Sequence, residues 1–205
     1  MGGLLPPFEG ASFIVQIALM NARLRGKLAL ISVLATLSAF IVSLYMFWAG
    51  SANTSTFSYI GEANRIWFFF YSLLFTSAFC FNILLFTVNT HIKNKRTLLA
   101  IYLLLGLTFI LSLLQSIIID PAVREVHILL AALFTGLGSS AIITSIIVKL
   151  KLAKARHEYY YLFMLILTGG INFYAIHAYG WLIASYQWLY ATTVLATSCA
   201  LANHG

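Results

Sequence analysis

Two histidines, a serine and a handful of acids and amides stand out in this sequence because almost everything around them is apolar. Ser58 and Glu62 lie in the polar stretch "NTSTFSYIGEANR", Asn53 to Arg65. Asp120, Arg124, Glu125 and His127 cluster further on, followed by Asn172, His177 and the pair Gln187-Trp188. A serine, a histidine and an aspartate (Ser58, His127, Asp120) are the ingredients of a hydrolase triad, but no nucleophile-elbow sequence surrounds the serine. Two histidines on neighbouring helices can hold a haem iron axially, which makes His127 and His177 the alternative should a cofactor be present. No second histidine pair accompanies them and no spacing suits zinc. No catalytic residue, metal or cofactor is therefore expected, and the chain reads as a non-enzyme.

Such residues need elements to position them, and composition names the elements. Of 205 residues, 61 % are hydrophobic and 8 % charged, with a mean hydropathy of +0.94. Soluble domains carry about 25 % charged residues, so this chain has no means of making a water-soluble surface. A helix needs about 20 mostly apolar residues to cross a bilayer. Six segments qualify: 28–49, 66–88, 98–119, 126–148, 159–178 and 181–201. The expected fold class is all-α, a polytopic six-transmembrane-helix bundle over residues 28–203. Residues 1–27 form an N-terminal cytoplasmic or interfacial segment whose apolar run is too short to span. Cys80 and Cys199 lie within apolar segments and read as small buried hydrophobes.

The net charge of +7 raises nucleic acid as a partner, but the basic residues lie in short clusters flanking apolar runs, as in cytoplasmic loops. Arg23, Arg25 and Lys27 precede the first segment. Lys93, Lys95 and Arg96 lie between the second and third, and Lys149, Lys151, Lys154 and Arg156 between the fourth and fifth. Only Arg65 and Arg124 of the twelve lysines and arginines fall on the other side. The positive-inside rule then puts both termini in the cytoplasm, and makes anionic lipid headgroups the natural partners of the inner clusters.

With that orientation, Ser58, Glu62, His127, His177, Gln187 and Trp188 gather towards the outer face as lipid- or partner-binding candidates, while Asn82 and His91 belong to the cytoplasmic half. Each has a plainer reading. Asp120-Pro121 with Arg124 and Glu125 is a helix start, with proline in the first turn and acids at the positive end of the dipole. His127 and His177 are boundary residues meeting water, and Glu62 with Arg65 is a solvated pair worth under about 1 kcal/mol. Gly136 and Ser140, four apart, make a small-residue surface for helix contact that Gly169 and Gly170 would receive.

The order of these features resembles one family of six-helix membrane proteins. It comprises the damage-regulated autophagy modulators, the post-GPI-attachment remodelling factor and the yeast suppressor-of-four-kinase protein. Phe57-Ser58 followed by Gly61 is similar to that family's first outer loop. "VHILLAALF", Val126 to Phe134, is similar to its histidine-opened fourth helix, and "ASYQW" stands where members often carry Glu-Trp. Gln187 here keeps a hydrogen-bonding amide but not an acid, and Tyr59 stands where an aspartate often follows the serine. The resemblance implies a lipid-handling, trafficking or autophagy-related protein of the Golgi, lysosome or plasma membrane, with GPI-anchor maturation in its range. It brings no catalytic residues. A small transporter or channel, or an accessory subunit of a larger membrane complex, is the alternative.

Overall fold

A computed structural model describes residues 9–51, 64–119, 122, 124–153, 158–179 and 184–203, with side chains at 23–48, 64–119, 122, 124–152, 159–174 and 186–203. Among the described residues there are six helices and no strand. They are α1 (Glu9–Ser51), α2 (Arg65–Thr90), α3 (Lys95–Ile117), α4 (Arg124–Ala153), α5 (Glu158–Tyr179) and α6 (Ala184–Asn203). Four of them, at Arg23–Trp48, Arg65–Thr90, Lys95–Ile117 and Arg124–Leu152, are long and apolar enough to cross a membrane. The chain is thus all-helical with the makings of an integral membrane protein.

Helix ends follow local chemistry. Asn64 caps α2, its side-chain oxygen accepting from the Trp67 N–H at 3.4 Å. Asn94 caps α3, accepting from Arg96 N–H at 3.0 Å and Thr97 N–H at 3.4 Å. Between them α2 stops at His91, which takes the left-handed conformation (φ 46°, ψ 52°) that allows a sharp turn into α3. The helix α1 differs from expectation at its start. It runs unbroken from Glu9, so the boundary drawn at Lys27 falls inside one helix of 43 residues, about 65 Å long.

α2 is the hub. Of its most apolar stretch 56 % is buried, against 17, 22 and 22 % for α1, α3 and α4, so the last three turn most of their apolar surface outward. That is the reverse of a soluble bundle and is stable only where hydrocarbon meets those faces. α2 packs on α1, α3 and α6, α3 packs on α4, and α6 packs on α1 and α5, whereas α4 and α5 touch sparingly. The core between them gathers Phe75, Phe79, Ile83, Phe86, Ile101, Ile142, Ile146 and Leu195.

The antiparallel succession sorts the charges. Arg25 reaches His91 at 3.3 Å, and the Asn89 side-chain amide donates to the Ala202 carbonyl at 2.8 Å. The basic stretch of α1, the α2–α3 turn and the C-terminus of α6 therefore share one end. Phe68 against His127, and Phe79 against Gly138, show that α2 and α4 run parallel, which brings Lys149 and Lys151 to that same end. Arg65 and Arg124 open α2 and α4 at the other. Within the basic cluster assigned to anionic headgroups, Lys149 is 4 % exposed, whereas Lys151 is exposed.

The expected small-residue contact needs correcting. Gly136 has nothing within 4 Å of where a Cβ would stand, and neither does Gly170; Ser140 is exposed. The close approach is made instead by Gly138, where a Cβ would lie 3.4 Å from Thr108 Cγ2 and 4.0 Å from Phe79 Cε1. Helical phase explains it, since residues two apart lie on nearly opposite faces. Gly138→Leu is expected to cost about 1–3 kcal/mol by overpacking the α2–α3–α4 interface, while Gly136→Leu leaves stability unchanged. Denaturation of the two variants in the same detergent checks this.

Candidate functional site

The structure buries the histidine that sequence placed at a water boundary. His127, in the first turn of α4, is 5 % exposed, and its ring lies 6.3 Å from that of Phe68. Nδ1 stands 2.9 Å from the carbonyl oxygens of both Gln115 and Ile118. Carbonyls only accept, so Nδ1 must carry a proton and donate it. Gln115 lies in the last turn of α3 and Ile118 is its C-cap, where carbonyls lack intrahelical partners. His127 is thus a cap supplied by the next helix, and Ile118 N–H donating to Leu114 O at 2.9 Å completes the ending.

Of the other outer candidates, Ser58 and Glu62 lie outside the described residues, as do Asp120, Lys154 and Arg156; His177 lies in α5, but its side chain is outside them. Trp188 sits half-buried in the α1–α6 interface, its ring 5.9 Å from Phe40 and 5.3 Å from Phe47. Gln187 beside it is also half-buried. His127 therefore serves the α2–α3–α4 side and Trp188 the α1–α6 side. Glu125, in the first turn of α4, is exposed at the helix's positive end, as expected of an acid there. Lys93, Lys95 and Arg96 are exposed around the α2–α3 turn.

Two polar clusters carry more of the architecture than the residues singled out from sequence. Asn82, fully buried in α2, accepts from the Ser32 hydroxyl at 2.6 Å and donates to Thr36 Oγ1 at 2.9 Å and Ser198 Oγ at 3.1 Å. One amide thereby ties α1, α2 and α6 together. On the opposite side of α2, the Thr76 and Ser112 hydroxyls pair at 2.6 Å, linking α2 to α3. The signal for the first was present, since Ser32 and Thr36 are four apart on one helical face. Nothing in the sequence paired that face with Asn82 across 50 residues of chain.

Where α4 and α5 part, a cavity of about 120 Å³ opens, lined by Ser139, Ile142, Ile143, Leu165, Ile166 and Tyr190. Its walls are aliphatic and its polar content is one pair of hydroxyls. The Ser139 hydroxyl donates to the Thr135 carbonyl at 2.6 Å, so the short contact between Ser139 and Tyr190 has the tyrosine as donor. Both protons are thus placed within the protein. Asn172 of α5 supports this side by donating to the Tyr186 carbonyl of α6 at 3.0 Å. Ser139 stands about 22 Å along α4 from Arg124, close to mid-membrane depth for a spanning helix.

Among the described residues, no three histidines, cysteines, aspartates or glutamates come close enough together to hold a metal ion. No protein-family model, no curated protein and no solved structure matches the chain.

Proposed function

We propose that this protein is a non-enzymatic, six-span membrane protein that handles lipid, with both termini in the cytoplasm and a role in membrane trafficking or autophagy of the kind its family resemblance implies. The observation that carries the reading is the cavity between α4 and α5. Its aliphatic walls, and hydroxyl protons already placed on Thr135 and Ser139, ask nothing polar of an occupant. At mid-membrane depth the hydrocarbon on hand is the distal part of an acyl chain. A 150 Å³ apolar cavity holds a molecule the size of benzene, so this one takes the end of a chain and not a whole lipid. The buried amide and hydroxyls around Asn82 tie helices to one another, which argues for a scaffold over a transporter with a polar path.

The test uses the full chain reconstituted in phosphatidylcholine vesicles with photoreactive lipid. A diazirine at the chain terminus is expected to label Ile142, Ile143, Leu165 or Ile166, and the same group on the headgroup is not. Ile143→Trp, which fills the cavity, is expected to remove most of that labelling. Equal labelling by both probes, or labelling indifferent to the tryptophan, defeats the proposal. The alternative of an accessory subunit draws on the uncovered strip at Gly136 and Ser140 on α4, a surface suited to close helix contact. Stoichiometric co-purification with other membrane chains would favour it.

A further inference from the structure

At the basic end, two clusters far apart in sequence become one. The guanidinium of Arg25 on α1 donates to Nε2 of His91 at 3.3 Å, across 66 residues of chain. His91 is the one non-glycine residue with positive φ among the described residues, so the turn holds its ring in a conformation few side chains adopt. With Nε2 accepting, the neutral imidazole carries its proton on Nδ1. The pair then presents the remaining guanidinium N–H groups and an imidazole N–H, all donors, and no acceptor. Arg23, Lys27, Lys93, Lys95, Arg96 and Lys151 are exposed at the same end. Of the acids among the described residues, Glu125 opens α4 at the opposite end, Glu9 opens α1, and Glu158 opens α5 at the basic end, on a different element from the pair. A cation set against an imidazole, with more cations flanking and no carboxylate in the pair, is complementary to an oxyanion.

We propose that Arg25 and His91 receive the phosphate of an anionic phospholipid headgroup at the membrane surface, a site that deepens the lipid-handling reading and rests on it. The guanidinium fork fits two phosphate oxygens in a way a lysine ammonium does not. The flanking lysines and arginines supply the field that concentrates anionic lipid there. The occupant is a lipid because Arg25 continues directly into the apolar stretch of α1, which holds the pair at headgroup level.

Full-length protein in mixed micelles is titrated with phosphatidic acid against phosphatidylcholine, reading bound lipid by native mass spectrometry. Preference for phosphatidic acid is expected. Arg25→Ala is expected to weaken it about fivefold or more, the effect of one basic residue at an anionic surface. Arg25→Lys should lose nearly as much, because charge without the fork does not suffice. His91→Gly keeps a left-handed turn and is expected to weaken binding at unchanged melting temperature, while Arg124→Ala at the opposite end has no effect. Wild-type affinity in Arg25→Lys, or equal losses in Arg25→Ala and Lys27→Ala, would mean a diffuse cationic surface and overturn the site. So would the absence of any preference for phosphatidic acid. Chain-terminus photolabelling at the α4–α5 cavity is run on the Arg25→Ala protein in parallel. If it persists while the headgroup result fails, only this site falls; if both fail, the lipid-handling reading goes too.

Discussion

Asn82→Leu is expected to destabilise the bundle by about 2 kcal/mol, taking roughly 0.6 kcal/mol for each of three interhelical hydrogen bonds lost inside a membrane. The amide is fully buried and meets Ser32, Thr36 and Ser198, so its removal loosens α1 and α6 from α2 at once. Leucine has similar volume, which keeps a cavity from adding to the loss. Ser198 still donates to the Leu195 carbonyl at 2.9 Å, and the Ser32 hydroxyl is left with the weak acceptor Cys199 Sγ at 4.0 Å. Asn82→Asp should be worse, because an acid at that depth costs about 2.5–3.5 kcal/mol when charged and loses the two amide donors in either form. Unfolding in detergent by increasing denaturant fraction gives both numbers. A double mutant with Ser32→Ala should fall short of additivity, as the two residues share a bond. Wild-type stability in Asn82→Leu would mean that the three contacts contribute nothing net.

His127→Phe should cost about 1–3 kcal/mol, the penalty for leaving buried polar groups without a partner. Phenylalanine keeps the ring contact with Phe68 but supplies no donor to the carbonyls of Gln115 and Ile118. The damage should be local: amide exchange at 115–119 accelerates, while the exchange of α2 around Asn82 is unchanged. His127→Asn, whose amide nitrogen can stand where Nδ1 stands, should recover part of the loss. The same variants are expected to leave phosphatidic acid binding at the other end unaffected. A loss of lipid binding in His127→Phe at unchanged exchange would instead make His127 a ligand-contacting residue and not a cap.

The helices themselves were legible residue by residue. The segments at 66–88, 98–119, 126–148 and 159–178 agree with α2 to α5 to within a few residues at either end. The caps that start two of them, Asn64 and Asn94, were seen only in the fold. The separation of Arg65 and Arg124 from the other described basic residues was equally plain, because alternating helix direction turns a linear order of charges into two ends. Even Asn82 could be named as an intramembrane amide, since any polar group among so many apolar ones stands out.

What sequence could not say was which face of each helix meets which neighbour. All-round apolar helices carry almost no amphipathic stripe, since lipid and protein interior are chemically alike to a leucine, and the usual guide to the buried face is missing. For that reason Gly136 rather than Gly138 was given the close contact, and His127 was left facing water when it caps α3. Meetings such as Ser32 with Asn82, Ser139 with Tyr190 and Arg25 with His91 depend on interhelical phase alone. Composition and spacing determined that this chain makes membrane-length helices with most of its described cations at one end. Only packing, which fixes rotation about each helix axis, decided which polar groups hold the bundle and which face lipid.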